Sequence, residues 1–373
     1  MTALDTLQRD LDTLERSGRR RALVPVQGRD FASNDYLGLA GSTRLREAVA
    51  EALARGVPVG SGGSRLLRGN APEHERLEDE AALFFGSEGA VFLGSGYCAN
   101  ALLFSTLPQR GDLIVHDELV HASAHEGIRL ARADAVGFAH NDPQAAAEAI
   151  ARWRQAGGRG TAWIAVESLY SMDGDRAPLA DFADLAERTG AMLLVDEAHA
   201  TGVFGRDGRG LAGRLDGAEN VITLKTCGKA LGCEGALLLG AAPMREFIVN
   251  RGRQFIFSTV PSPLMAAAVR ESLRILRDEP WRRERLHALV GRAQAALAGL
   301  GLETSDSPIQ RVVLGDDRKT MAAAAALQDR GFDVRGIRPP TVPVGTARLR
   351  ISLTLNVTES DVDALVGALE EIL

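Results

Sequence analysis

The 373-residue sequence predicts an α/β protein: a mostly parallel central sheet with helices on both faces, then a smaller C-terminal α+β domain. Three observations carry that expectation. The chain is longer than one ordinary core fills, so two or three domains are expected. Between residues 90 and 240, short apolar runs rich in Val, Ile and Leu alternate with helical stretches, the pattern of parallel strands buried on both faces. After Pro261 the texture changes to long helical segments and a few strands.

The elements follow in order. In the first residues, Leu4, Leu7, Leu11 and Leu14 share one helical stripe while Asp5, Asp10, Asp12 and Glu15 cover the rest. That predicts a surface helix docking on its own body or on a second subunit, and fits neither a signal nor a transit peptide. Residues 1–43 are read as an N-terminal arm, 44–260 as a large α/β domain and 261–373 as a small α+β domain. The strand candidates are AVFL, LIVH, AVGF, TAWIAVE, AMLLVD, VITL and ALLLG, with helices such as Pro143–Gln155 and Leu179–Thr189 between them. A helical region covers 266–300. Strands are expected near 309–314, 333–337 and 348–353, with a helix between the first two. Thr358 starts a last helix, with Asp361 in its first turn and Val362, Leu365 and Leu369 on its apolar face.

Composition excludes several function classes. A net charge of -6 argues against nucleic acid as a partner, and the one basic run, Arg19-Arg20-Arg21, reads as a solvated helix end. Cys98, Cys227 and Cys233 make no disulfide framework and no CxxC pair, which points to a reducing, cytoplasmic setting. No apolar run is long enough for a membrane span. The stretch VGSGGSRLLRGN (59–70) has neither the preceding strand nor the GxGxxG spacing of a dinucleotide loop. His116, His121 and His125 lie close in sequence, but there is no HExxH, and no metal site is expected.

Ligands in open parallel sheets bind beyond the carboxyl ends of the strands. Several polar residues fall there. Asp196 follows AMLLV with His199 three residues on, Ser171 follows TAWIAVESLY, and Lys229 follows VITLKTCG. Gly94, Ser95 and Gly96 follow AVFL and open a helical stretch. Together they suit a lysine Schiff base to an aldehyde cofactor carrying a phosphate. The helix start offers free N–H groups to the phosphate, and the aspartate can keep a pyridine nitrogen protonated. The small residues around Lys229 leave room for a planar group.

Nine segments then come in order: SNDYLGLA (33–40), GSGGSRLLRGN (60–70), HERLE (74–78), HASAHEGIRLAR (121–132), HND (140–142), ESLYSMDGDRAPL (167–179), VDEAHATGVFG (195–205), TCGKALG (226–232) and RPPTVPVGTARLRISLT (338–354). They resemble the α-oxoamine synthases, fold type I pyridoxal-phosphate enzymes, over nearly the whole chain. VDEAHATGV and IRPPTVPVGTARLR look most like the branch that joins L-alanine to a pimeloyl thioester in biotin synthesis. That resemblance implies a decarboxylative Claisen condensation releasing CO2 and free thiol, with pimeloyl-coenzyme A or a pimeloyl acyl carrier protein as donor. The alternative is a sister branch using glycine, of the 5-aminolevulinate or glycine C-acetyltransferase type. The turn after the lysine reads GCEGA, with Glu234 where the family carries a small residue.

By resemblance, Lys229 forms the imine and serves as base, Asp196 pairs with the pyridinium nitrogen, His199 bonds the ring hydroxyl oxygen and His121 stacks on the ring. Gly96, Tyr97, Ser171 and Thr226 lie where the family contacts the cofactor and its phosphate. Arg350 matches the arginine that holds the amino acid's carboxylate, a bidentate task suited to a guanidinium. Strand alternation puts Arg348 on the same face, so both remain candidates. Asn34 and Thr341 match positions near the substrate, and Arg20 is aligned with the acyl chain. The resemblance also implies a homodimer with active sites at the subunit boundary, to which GSGGSRLLRGN contributes.

Overall fold

The computed structural model describes residues 2–373. They form two compact units: Asn34–His287, and the arm up to Ser33 together with Ala288–Leu373. These contact boundaries lie outside the expected 43/44 and 260/261. Within the larger unit the helix Pro263–Asp278 packs on the helices Thr43–Ala54 and Pro72–Phe85.

All seven apolar runs of the larger unit become strands: β1 Gly89–Leu93, β2 Leu113–Asp117, β3 Asp134–Phe138, β4 Ala162–Glu167, β5 Met192–Asp196, β6 Val221–Thr226 and β7 Ala236–Gly240. They form one sheet in the order β1-β7-β6-β5-β4-β2-β3. β7 is antiparallel to both neighbours and the other pairings are parallel, so β1 runs in the common direction.

Both faces are covered, which is why the runs are continuously apolar. Leu193, Val195, Ile164 and Val166 pack with Ile150, Phe182 and Leu185 from the helices Pro143–Gln155 and Leu179–Thr189. The alternate residues Leu194, Ala165, Ile222 and Leu224 pack on the other side with Leu102, Leu103 and Phe104 from the helix Gly96–Thr106. Helix Pro143–Gln155 begins with Asp142 accepting from Ala145 N at 2.9 Å and Pro143 at its first position.

The smaller unit holds an antiparallel sheet of β8 Ile309–Gly315, β9 Arg335–Ile337 and β10 Ala347–Ser352, in the order β9-β10-β8. Leu349 and Ile351 of β10 join a core with Leu297, Leu327, Leu365 and Leu369 from the surrounding helices. The last helix, Glu359–Ile372, starts with a capping box between Thr358 and Asp361.

Three expectations are corrected. The helical region 266–300 is two helices, Pro263–Asp278 and Trp281–Gly299, because Pro280 has no N–H to continue the first. The strand expected over 333–337 is split: Phe332–Asp333 pairs in parallel with Arg29–Asp30, and Arg335–Ile337 pairs with β10. The leucine-striped helix forms over Ala3–Arg16, but none of its residues is buried, and Leu4 is 73% exposed, so it does not dock on its own body. Among the described residues no helix is long and apolar enough to cross a membrane.

Candidate active site

Strand alternation assembles the site. In β4, β5 and β6, Trp163, Ala165, Leu194, Ile222 and Leu224 face the helix Gly96–Thr106. Two residues on from them, Glu167, Asp196 and Thr226 carry the same face to the carboxyl ends of three adjacent strands. Glu167 and Asp196 are partners in register. The end of β1 lies at the same edge, where Ser95 caps the helix by accepting from Cys98 N at 3.0 Å. A Cβ on Gly96 would stand 3.5 Å from Thr226 Oγ1, so this helix start and the end of β6 meet. Tyr97, in the helix's first turn, is half exposed at 52%.

A side-chain relay orients two of the expected residues. The Asn100 amide donates one proton to Asp196 Oδ2 at 2.9 Å and one to Ser123 Oγ at 2.9 Å. Ser123 Oγ lies 2.7 Å from His121 Nδ1, which also accepts from Ser123 N at 3.2 Å. With Nδ1 an acceptor, the His121 proton sits on Nε2. Burial of the ring lowers the His121 pKa, Lys229 lowers it further, and Asp196 opposes them. The second oxygen of Asp196 accepts from Ala198 N at 2.9 Å. His199 is buried, with the Tyr36 hydroxyl 2.6 Å from its Nδ1, and the same hydroxyl is 3.2 Å from Asn34 Oδ1.

Glu167 is fully enclosed beside this relay. Burial raises its pKa well above the carboxylate range, the charge of Asp196 adds to the shift, and Lys229 opposes it.

Lys229 sits in a turn closed by backbone bonds: Cys227 N to Gly235 O at 2.8 Å, Gly232 N to Lys229 O at 2.9 Å and Cys233 N to Cys227 O at 2.9 Å. The glycines have local reasons. Gly232 has φ +64°, and a Cβ there would meet the backbone of Leu39 and Ala40 at 2.5 Å. Gly235 has φ +99°, and a Cβ would meet Leu93 O at 2.7 Å. Room for a planar group is therefore not what fixes these two positions. Cys227 is buried, and Glu234 points its side chain to solvent. Ser171 is half-buried in the loop after β4.

In the smaller unit, Arg348 and Arg350 share the face of β10 opposite Leu349 and Ile351, both buried. Arg348 Nε donates to Thr346 O at 2.9 Å, and Arg350 Nη1 to Ser352 Oγ at 2.7 Å. Of the arginine triplet, Arg21 approaches Thr341 Oγ1 at 3.5 Å, while Arg20 pairs with Glu15 at 3.2 Å and Arg19 with Asp317 at 3.0 Å.

Sequence reading passed over Asn100, Ser123, Tyr36 and Glu167. Asn100 had a signal, standing four residues after Gly96 on one helix face. Tyr36 lay within SNDYLGLA, and only the fold carries it to His199. The larger unit thus offers an amine, a carboxylate at a strand end, two oriented imidazoles and an open helix start. That donor set fits a flat, phosphate-bearing aldehyde with a ring nitrogen. Among the described residues no group of three or more His, Cys, Asp or Glu is placed to hold a metal ion.

The family model of aminotransferase class I and II matches residues 27–369. The chain belongs to that family. Its relatives sharpen the assignment: an 8-amino-7-oxononanoate synthase of Anaeromyxobacter dehalogenans (strain 2CP-1) is 43% identical over 387 residues, covering 100% of this chain and 96% of the relative. Among solved structures, a serine palmitoyltransferase from S. paucimobilis with a bound PLP–myriocin aldimine is 28% identical with a TM-score of 0.89, covering 99% and 96%. The 8-amino-7-oxononanoate synthase of Francisella tularensis is 26% identical with a TM-score of 0.77, covering 92% and 97%. The family fold is thus the fold type I PLP-dependent transferase fold, as the resemblance implied.

Proposed function

We propose that this enzyme is a pyridoxal-phosphate-dependent acyltransferase that joins L-alanine to a pimeloyl thioester, giving 8-amino-7-oxononanoate, CO2 and free thiol. The observation that carries the reading is the 43% identity, end to end, with a relative of that name. A glycine-using sister reaction is not favoured by such relatives.

Pyridoxal phosphate, when bound, supplies an aldehyde carbon for an amine and a ring that withdraws electrons from the substrate's α-carbon. The chain's own residues do the rest. Lys229 Nζ holds the cofactor at rest and then moves the proton at the α-carbon. Asp196, held by Asn100 and Ala198 N, presents a carboxylate to the ring nitrogen. His121, fixed through Ser123 with its proton on Nε2, would stack against the ring of the bound cofactor. His199, held by Tyr36, would hydrogen-bond the ring hydroxyl oxygen of the bound cofactor. Ser171, Thr226 and the backbone of Gly96 and Tyr97 bind the ring hydroxyl and phosphate.

Arg350 holds the alanine carboxylate in two parallel hydrogen bonds. Asn34 and Thr341 line the substrate, and the arginine triplet, Arg20 by alignment, meets the acyl chain or its carboxylate. The enzyme works as a cytoplasmic homodimer, a state that sedimentation checks: a fully active monomer contradicts it. Thiol release from pimeloyl-coenzyme A, with L-alanine and glycine side by side, tests the whole reading. Release with alanine and little with glycine is the expected result. Release with glycine alone refutes the substrate assignment.

A further inference from the structure

One charged cluster near the site has no part in the chemistry above. His140 follows β3, and both of its ring nitrogens face carboxylates. Nδ1 lies 3.0 Å from Asp117 Oδ1 at the end of β2, and Nε2 lies 2.7 Å from Asp175 Oδ2 in the loop after β4. An imidazole between two carboxylates donates from both nitrogens, so it is an imidazolium there. The next residue doubles the link. Asn141 N donates to Asp117 Oδ2 at 2.7 Å, and its side-chain amide donates to Asp175 Oδ2 at 2.8 Å and to Arg176 O at 3.2 Å. For both neighbours to reach both carboxylates, Asn141 takes φ +55°, a region that non-glycine residues occupy at a cost.

The loop that this pair grips is the one carrying Ser171. It is closed on itself: Tyr170 N donates to Asp175 O at 3.0 Å, Gly174 N to Tyr170 O at 2.9 Å, and Leu169 bridges to Arg176. The Tyr170 ring meets His140 edge to face with centroids 4.4 Å apart. Asp175 and Tyr170 therefore cannot shift without carrying Ser171, the first of the four residues between them in this closed turn.

We propose that His140 is a positioning residue: as an imidazolium it pins the 169–176 loop to the end of β2 and so holds Ser171 against the cofactor. This rests on the cofactor reading above. The titratable groups facing His140 are Asp117 and Glu118 from the end of β2, with Glu118 accepting His140 N at 3.2 Å, and Tyr170 and Asp175 from the loop. Burial works against the charge, but hydrogen bonds with Asp117 and Asp175 outweigh it and raise the imidazole pKa to about 9. A raised pKa means the pin is complete below about 6.5 and is lost as the pH rises through about 9.

The test uses the full chain and two readouts. Without cofactor, hydrogen exchange of the 169–176 segment is compared in wild type, His140→Gln and Asp175→Asn at pH 7, each checked by thermal melting. With cofactor, pyridoxal phosphate affinity is titrated by fluorescence from about pH 6 to 10. His140→Gln is expected to speed exchange of the loop and weaken the cofactor about tenfold, as loss of a charged hydrogen bond does. It should also abolish the fall in affinity near pH 9, and Asp175→Asn should move that fall toward neutral pH. Wild-type exchange and an unchanged pH profile in His140→Gln would overturn the proposal. Should both variants fail to fold, the wild-type chain decides: its loop loses protection relative to β5 between about pH 8 and 10, and a constant ratio overturns the pin. Faster exchange in a chain that never binds the cofactor refutes the cofactor reading and leaves the pin standing.

Discussion

Two lysines four residues apart, Lys225 and Lys229, have opposite fates. Lys225 is fully buried on the face of β6 away from the candidate site, with Nζ 2.6 Å from Glu197 Oε2, 3.0 Å from Asp216 Oδ2 and 2.9 Å from Arg209 O. Glu197 also accepts from Leu211 N and Ala212 N, and Thr223 donates to Asp216 at 2.8 Å. Every group in that cluster is spent on another protein group. Lys229, past the strand end, is only half-buried, and Asp196 is fixed by an amide and a backbone N–H rather than by a cation. Charge chemistry alone does not mark a site. What differs is how the carboxylate is held: Glu197 by a buried cation, Asp196 by an amide and a backbone N–H.

The contrast can be broken by exchanging the roles. Lys229→Ala is expected to abolish turnover, by roughly a thousandfold or more, with an almost unchanged melting temperature. Retained activity ends the comparison. Lys225→Ala should do the reverse, costing about 3–5 kcal/mol because two buried carboxylates lose their cation. Denaturant unfolding reads that loss, and an unchanged midpoint would show that the cluster is not needed. Asn100→Ala sharpens the argument: about 10- to 100-fold in activity should go with Asp196 and His121 no longer held, while stability falls by only about 1–2 kcal/mol. If activity and stability fall together, the relay is merely structural.

The smallest effect is expected from Glu167→Gln. Burial disfavours the charged form of this carboxyl, so exchanging it for a neutral amide of the same shape should change stability at pH 7 by less than about 1 kcal/mol. The pH dependence carries the sign. A carboxyl raised in the folded state binds a proton that the unfolded chain gives up above pH 4.5, so wild-type stability declines with rising pH until the folded group ionises. Glu167→Gln should flatten that decline, and an identical slope in both proteins would refute the upward shift.

Much of this was legible in the residues. Continuous apolar runs announced the seven strands, and the strand-end positions of Asp196, Ser171 and Lys229 were readable because parallel sheets gather such ends at one edge. The supporting groups were not readable. Asn100, Ser123 and Tyr36 belong to three different elements, and only tertiary contact brings them to Asp196, His121 and His199. Lys225 hid in a strand because nothing in VITLKT says that its lysine faces Glu197 and Asp216. Likewise Pro280 could end a helix in sequence terms, yet the apolar rhythm on either side masked the break.

The backbone contact at Gly232 carries a consequence for anyone recoding the lysine turn. Any side chain there must displace Leu39 and Ala40, and that segment also carries Tyr36, whose hydroxyl holds His199. Diversity introduced at 232 would be paid twice, once in the turn and once at a histidine far along the sequence. Positions 228 and 234 are free of that debt: Gly228 has its nearest neighbour at 3.6 Å and Glu234 already faces solvent. A library built around this lysine belongs at those two positions, with 232 and 235 left as glycine.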